Sequence, residues 1–315
     1  MGIYMKYSFV IPCYQSENTL RQVVHELLME IEKENLMEYE IILVNDCSPD
    51  NVWHVIKSLS RENDFVHGIN LAKNFGQHAA LLAGYAKSKG DVIVSLDDDG
   101  QAPVDELYKL LNGLGEDYDV VYAYYDEVKQ NLFRRLGSWA ALQMGHALLE
   151  IPKDFKGSSF YAARKFIIDE MLHYKNAYPY LPGLVFRTTR KINCVRTSHR
   201  GRLEGRSGYS FRSLFSLWMN GFTAFSVKPL EIGFWLGVIF AVMGFGGGIY
   251  TAVNKICNPD IPAGWTSTIC VLLILGGMIM LMLGLLGEYI GRIYICINKA
   301  PQYVVKEDTY DEQGC

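Results

Sequence analysis

The stretch Val92-Ile-Val-Ser-Leu-Asp97-Asp98-Asp99-Gly100-Gln101 decides the fold. An apolar, β-branched run, expected as a strand over 92–96, ends abruptly in three carboxylates and a glycine. Side chains alternate along a strand, so the pattern sets Asp97 and Asp99 on one face and Asp98 on the other. Two carboxylates then stand together at a strand's carboxyl end, where open α/β sheets bind ligands. With the amide oxygen of Gln101 nearby, the donor set suits a hard divalent cation, Mg2+ or Mn2+, able to hold a diphosphate. The same residues also read as a solvated turn leading into a helix at Pro103, with Asp99 near its cap.

The segments before this stretch alternate in kind. Lys6–Pro12, Glu40–Val44 and Val66–Leu71 read as strands. Between them, Thr19–Glu34, Val52–Ser60 and Gly76–Lys89 read as helices, the first with Leu20, Val23, Val24, Leu27, Leu28 and Ile31 at helical spacing. Asn45-Asp46-Cys-Ser48-Pro49-Asp50 is a turn and helix-start signal, and Gly90 ends the third helix. This β-α-β-α order predicts an α/β fold with a mostly parallel sheet covered on both faces. Gly-x-Gly-x-x-Gly and P-loop patterns are missing, which removes the common dinucleotide and NTPase cradles. Beyond the acidic turn, a helix is expected over Pro103–Leu114 and a strand over Asp119–Tyr124. Phe133–Leu149 reads as an amphipathic helix, Ser158–Ala163 as a strand, Lys165–Tyr174 as a helix and Lys191–Val195 as a last strand.

Composition narrows the function. The chain has 315 residues, is 50% hydrophobic and carries a formal net charge of −4, which argues against a nucleic-acid binder. Seven cysteines, at positions 13, 47, 194, 257, 270, 296 and 315, form no Cys-x-x-Cys pair and no zinc-spaced cluster; their scatter fits a reducing compartment. No signal peptide is read at the N-terminus, and Met1-Gly2 lacks the pattern for myristoylation.

The C-terminal third changes character. Arg196 to Tyr209 is basic, with Arg196, Arg200, Arg202 and Arg206 among glycines, and lies directly before membrane-seeking sequence. Tyr209–Ser226 mixes Phe211, Leu214, Trp218 and Phe222 with polar residues and reads as an interfacial helix. Ile232–Val253 and Ala263–Gly287 carry no charge, and each exceeds the about 20 residues that span a bilayer core. In the second run, eleven Leu, Ile and Val residues at about −0.5 kcal/mol each sum to about −5 kcal/mol in favour of insertion. The short Asn254–Pro262 loop makes the two runs a hairpin. Lys228, Arg292 and Lys299 flank its outer ends, so the positive-inside rule predicts a multi-pass inner-membrane protein with catalytic domain and both termini cytoplasmic. Gly233/Gly237, Gly244/Gly248 and Gly287/Gly291 permit close helix packing, within the hairpin or in a homo-oligomer. The domains expected are 1–195 catalytic, 196–229 basic loop and interfacial helix, 230–290 hairpin and 291–315 cytoplasmic tail.

Five motifs in order, with the hairpin, resemble the family 2 glycosyltransferases that load a sugar onto polyprenyl phosphate. Dolichol-phosphate mannose synthase is one, and the likeness is greatest to the bacterial undecaprenyl-phosphate enzymes with a two-helix anchor. Val10-Ile-Pro12-Cys-Tyr14-Gln-Ser-Glu17 looks like the family's first-strand motif around the nucleotide base. Val44-Asn45-Asp46-Cys-Ser48-Pro-Asp50 resembles its Asp-Asp-Gly-Ser-x-Asp turn, with Asn45 for the first Asp, so the base contact falls to Asp46. Leu71-Ala-Lys73-Asn74-Phe75-Gly76 resembles Leu-Ser-Arg-Asn-Phe-Gly, where Lys73 keeps the charge without the bidentate fork of Arg. Leu96-Asp97-Asp98-Asp99-Gly100-Gln101 matches the metal-binding Asp-x-Asp segment, which makes Asp97, Asp99 and Gln101 the metal shell and sets Asp98 beside the nucleotide. Arg202-Leu-Glu-Gly205-Arg206-Ser207-Gly208-Tyr209 resembles the basic acceptor loop, with Gly208 where a Lys is usual. The tail Gly287-Glu288-Tyr289-Ile-Gly291-Arg292, then Pro301-x-Tyr303, looks like the one that follows the anchor in bacterial members.

The resemblance implies a GT-A fold and an inverting, metal-dependent transfer from a nucleotide sugar, a UDP-hexose, to undecaprenyl phosphate. Asp97, Asp99 and Arg202 would act at the reacting atoms. Arg134, Arg135, Arg200, Arg202, Arg206, Ser207 and Tyr209 are the candidates to hold the lipid phosphate, since guanidinium suits phosphate oxygens. One rival is a processive polysaccharide synthase, but its Gln-x-x-Arg-Trp motif is missing and two spans are few for a polymer channel. The other rival is a membrane-anchored nucleotide-binding scaffold without turnover, against which the intact Asp97, Asp99 and Gln101 speak.

Overall fold

A computed structural model describes residues 5–125, 155, 157–176, 179–198, 228–257, 264–298 and 300–310. The chain divides into two compact units, Met1–Ser216 with Lys299–Cys315, and Leu217–Asn298.

In the first unit the strands are β1 (Lys6–Cys13), β2 (Glu38–Asn45), β3 (Val66–Leu71), β4 (Val92–Ser95), β5 (Val120–Tyr125), β6 (Tyr161–Arg164), β7 (Ile192–Thr197) and β8 (Val305–Asp308). They form one sheet in the order β7-β5-β6-β4-β1-β2-β3-β8. The centre is parallel: β1 pairs with β2 and β4, and β2 pairs with β3. The helices are α1 (Leu20–Lys33), α2 (Val52–Glu62), α3 (Gln77–Lys87), α4 (Leu107–Leu114), α5 (Lys165–His173) and α6 (Leu181–Thr188).

The apolar runs of β1 and β2 follow from burial on both faces. Phe9, Ile11, Ile41 and Leu43 join Leu20, Val24 and Leu27 of α1 in one cluster. Val10 and Val44, on the other face, lie under α3. There a Cβ at Gly84 would fall 2.3 Å from Val10 Cγ1, so only glycine lets this helix sit so close to the sheet.

The α/β order and the parallel centre are as the sequence predicts; several bounds differ, with α4 starting at Leu107 rather than Pro103, β6 at Tyr161 rather than Ser158, and β7 reaching Thr197 rather than Val195. β4 ends at Ser95 rather than 96. α6 falls in a stretch for which the sequence predicts no element; its proline is tolerated because it occupies the first helical turn. β6 and β8 run antiparallel to their neighbours. The direction of β6 matters most for the site. It pairs Ser95 with Tyr161, so the residues just before Tyr161 arrive at the carboxyl end of β4. β8, in a tail with no strand signal, lies along the edge of β3.

In the second unit, α7 (Lys228–Cys257) and α8 (Trp265–Ile297) are long helices; Phe234, Phe245, Leu272 and Met280 are among their exposed apolar side chains. Among the described residues one segment, Ile274–Ile297, is long and apolar enough to cross a membrane; Gly233–Gly247 is apolar but shorter. That segment overlaps the expected second run, Ala263–Gly287, and continues past Glu288 through Ile290, Ile293, Ile295 and Ile297, while the described part of the expected first run falls short of a spanning length. Of the expected glycine pairs, Gly233 packs under Met282, where a Cβ would lie 2.4 Å from Cε. Gly237, Gly244, Gly287 and Gly291 would meet nothing within 4 Å.

Candidate active site

Because the central strands are parallel, the loops after β1, β2, β3 and β4 all emerge at one edge of the sheet. Hydrogen bonds stitch them together. Gln15 N–H donates to Ser48 Oγ (2.7 Å) and Glu17 N–H donates to Asp50 Oδ2 (3.0 Å). Asn51 N–H, at the start of α2, returns a bond to Glu17 Oε2 (2.9 Å). Gln15 and Cys47 hold positive φ of 56° and 49°, a conformation that side-chain-bearing residues adopt only where their surroundings impose it.

Asp46 is buried, and its two oxygens accept the backbone N–H groups of Phe75 (2.7 Å) and Gly76 (2.8 Å). It thereby shapes the turn carrying Lys73 and Asn74, with Gly76 supplying a φ of 90°. Burial pushes its carboxyl pKa up, against the pull of those two amides. Lys73 is exposed, with its ammonium 4.9 Å from the Phe75 ring. Tyr14 is exposed and Pro12 is buried at the end of β1.

The acidic turn starts two residues past β4, so turn geometry rather than the pleat separates its side chains. Asp98 turns back to the β1 loop: its Oδ2 accepts Tyr14 N–H (2.9 Å) and its carbonyl accepts the Thr19 hydroxyl (2.8 Å). Burial pushes its pKa up to about 6, with help from the charges of Asp97 and Asp99 and against the Tyr14 amide. Asp97 is held from two sides. Gln77 Nε2 donates to Oδ1 (2.7 Å), and the Ser159 hydroxyl donates to Oδ2. Asp99 Oδ1 accepts Gln101 N–H (3.0 Å). Tyr125, at the end of β5, has its pKa raised by burial and by Asp97 and Asp99. Beside Gln77, His78 is pushed down to about 4 by burial; its Nδ1 has no hydrogen-bond partner among the described residues.

The structure thus gathers Pro12, at the end of β1, and Tyr14, Glu17, Asp46, Lys73, Asn74, Gly76, Asp97, Asp98, Asp99 and Gln101, on the loops, at one sheet edge. It also brings Gln77 and Ser159, which the sequence did not single out, into hydrogen bonds with Asp97. Gln77 directly follows the Asn74-Phe75-Gly76 motif and carries a weak signal. Ser159 carries none, since it reaches Asp97 only through the antiparallel pairing of β6. The acceptor candidates Arg134, Arg135, Arg200, Arg202, Arg206, Ser207 and Tyr209 lie outside the described residues.

The parallel centre, flanking helices and acidic turn define a GT-A-like α/β transferase fold. The chain belongs to the glycosyl transferase family 2, whose model matches residues 8–175, and residues 228–293 match the GtrB C-terminal hairpin. It is 31% identical over 312 residues to an uncharacterized glycosyltransferase, YkcC, of Bacillus subtilis (strain 168), covering 98% of this chain and 95% of that one. Among solved structures it resembles glucosyl-3-phosphoglycerate synthase of Mycobacterium tuberculosis with Mn2+ and UDP-glucose, at a TM-score of 0.50. The same enzyme with Mn2+, UDP and phosphoglyceric acid gives 0.52. Both are 18% identical and cover 68% of this chain and 76% or 75% of theirs, a likeness of fold.

Proposed function

We propose that this glycosyltransferase moves a sugar from a nucleotide sugar, a UDP-hexose, onto undecaprenyl phosphate at the cytoplasmic membrane face, inverting the anomeric centre. The observation that carries this reading is the Asp97 carboxylate, oriented by Gln77 and Ser159 beside Asp99 at the carboxyl end of the parallel strands. The GtrB-type hairpin match supports a lipid acceptor, and the UDP-glucose and Mn2+ of the structural neighbour support the donor and ion classes.

Two carboxylates and an amide oxygen fit Mg2+ or Mn2+. Among the described residues no three His, Cys, Asp or Glu side chains come together so that they alone could hold a metal ion. A site of one or two carboxylates that leaves positions for substrate phosphates is how such ions are commonly held. Asp97, Asp99 and Gln101 would hold the ion, which when bound supplies Lewis-acid neutralisation of the leaving diphosphate. Pro12, Tyr14, Glu17 and Asp46 flank the base, and Lys73, Asn74, Gly76 and Asp98 lie towards the diphosphate. The acceptor is an ionised phosphate, so the site needs no general base; direct attack on the anomeric carbon inverts it. Arg134, Arg135, Arg200, Arg202 and Arg206, with Ser207 and Tyr209, hold the acceptor phosphate. The 1–195 domain acts from the cytoplasm, residues 196–229 lie at the interface, 230–290 form the two-span anchor and 291–315 return as a tail.

Membranes carrying the protein, incubated with undecaprenyl phosphate and a panel of nucleotide sugars, test the reading. One donor should yield a lipid-linked sugar, and excess chelator or Asp97→Asn should abolish it. No lipid-linked product from any donor, or near-normal product from Asp97→Asn, overturns it.

A further inference from the structure

The C-terminal tail reaches the nucleotide side of the site through a line of hydrogen bonds. In the pairing of β8 with β3, Glu307 stands opposite Asn70. Asn70 Nδ2 donates to Glu307 Oε1 (2.8 Å), and Asn45 Nδ2 donates to Asn70 Oδ1 (2.8 Å). Ser48 N–H donates to Asn45 Oδ1 (3.0 Å), and Gln15 N–H donates to Ser48 Oγ (2.7 Å).

Every donor in this line points the same way, towards Glu307. An ionised carboxylate only accepts, so Glu307 dictates which end of the Asn70 amide faces it. That choice presents Asn70 Oδ1 to Asn45 and in turn Asn45 Oδ1 to Ser48. Asn45 and Asn70 are 4% and 6% exposed, so water has little access to correct a reversed amide. Head-to-tail bonds in such a place also polarise one another. The line ends on the two loops that hold Gln15 and Cys47 at positive φ, where an outside restraint is needed.

The tail is firmly seated apart from this line. Ala72 N–H donates to Val304 O (2.8 Å) and Thr309 N–H donates to Gly68 O (2.9 Å). Lys87 pairs with Asp308 at 2.9 Å, and Tyr310 stacks on His67 with ring centroids 4.2 Å apart. Losing the Glu307 bond therefore leaves the strand docked.

We propose that the tail is a positioning strap for the nucleotide loops: Glu307 acts through Asn70 and Asn45 to hold Ser48 and Gln15 in the conformation that receives the nucleotide. The nucleotide part of this inference rests on the function proposed above. Glu307 is a positioning residue, since it acts through others.

The test uses the full chain in detergent, with Glu307→Ala, Glu307→Gln and Lys87→Ala. Lys87→Ala removes a tail contact outside the line. Two quantities are read: amide hydrogen exchange over residues 13–17 and 45–51 without ligand, and the dissociation constant for UDP with Mn2+. Glu307→Ala should speed exchange in both segments and weaken UDP by about three- to tenfold, the worth of one lost hydrogen bond. Glu307→Gln, whose side-chain oxygen still accepts from Asn70, should recover most of the loss, and Lys87→Ala should change neither quantity. Unchanged exchange in Glu307→Ala, or equal changes in Lys87→Ala, overturns the strap. A wild-type protein that does not bind UDP overturns the nucleotide reading instead, while the exchange arm still decides the strap.

Discussion

In the proposed reaction Asp97 has the central role, and the structure gives its carboxylate a donor on each oxygen. A carboxylate with a fixed donor on each oxygen has one orientation, and catalytic groups gain from being held before substrate arrives. Asp97→Asn keeps the shape but removes the charge, so turnover should fall by orders of magnitude while the circular dichroism spectrum stays unchanged. Gln77→Ala and Ser159→Ala each remove a bond to a charged group, worth about 1.5 to 3 kcal/mol; turnover should fall about ten- to a hundredfold in each. Activity within twofold of wild type in both would show that Asp97 needs no support. On the acceptor side, Arg206→Ala should raise the Michaelis constant for lipid phosphate about ten- to a hundredfold, the worth of a charge-assisted hydrogen bond. Gly208→Lys should then restore part of it. Unchanged lipid kinetics beside a dead Arg202→Ala enzyme would move the role to Arg202. At this scale the sequence showed the carboxylates but not the groups that aim them. Gln77 and Ser159 contact Asp97 across 20 and 62 residues of chain, and no local pattern encodes such contacts.

Among the elements, β8 shows how weak a strand's own signal can be. Val305-Lys-Glu-Asp308 is short and charged, as suits a strand at the edge of a sheet, and alone it reads as loop. Its docking carries a pH dependence through His67, stacked on Tyr310. Burial is the main cause that holds the His67 pKa below its usual value; Lys89 and Lys6 add to the shift, while Glu40 and Asp308 oppose it. A lowered imidazole pKa means the docked tail prefers the neutral ring. Its contribution is therefore complete above the reference value of 6.5 and is lost as pH falls through the lowered one. Hydrogen exchange over 302–310 should accelerate between pH 7.5 and pH 5.5 beyond the intrinsic chemical trend. His67→Phe, which keeps a ring against Tyr310, should flatten that extra dependence. An extra acceleration that persists in His67→Phe would assign it to another group.

For the whole molecule, the prediction concerns membrane topology. The hairpin reading and its Lys and Arg flanks predict cytoplasmic termini on both sides of an externally exposed turn. A single cysteine placed between Asn254 and Pro262, in a background cleared of other thiols, should react with an impermeant reagent added to intact cells. Labelling only after lysis would reverse the topology.

The amino-acid sequence by itself determined the α/β alternation, the buried strands and the acidic turn at the end of β4. Each is written in a local period or a short motif: continuous apolar runs for strands buried on both faces, 3.6-residue spacing for α1, and Asp97-Asp98-Asp99-Gly100 for the turn. Tertiary structure alone decided which way β6 runs, and hence that Ser159 meets Asp97. It alone brought Glu307 to Asn70, across 237 residues of sequence. It also turned Asp46 onto the amides of Phe75 and Gly76 and Asp98 onto the amide of Tyr14. The physical reason is common to all four. A side chain's partner is chosen by strand pairing and loop packing between distant segments, and the free energy that selects it belongs to the assembled sheet rather than to any stretch of chain.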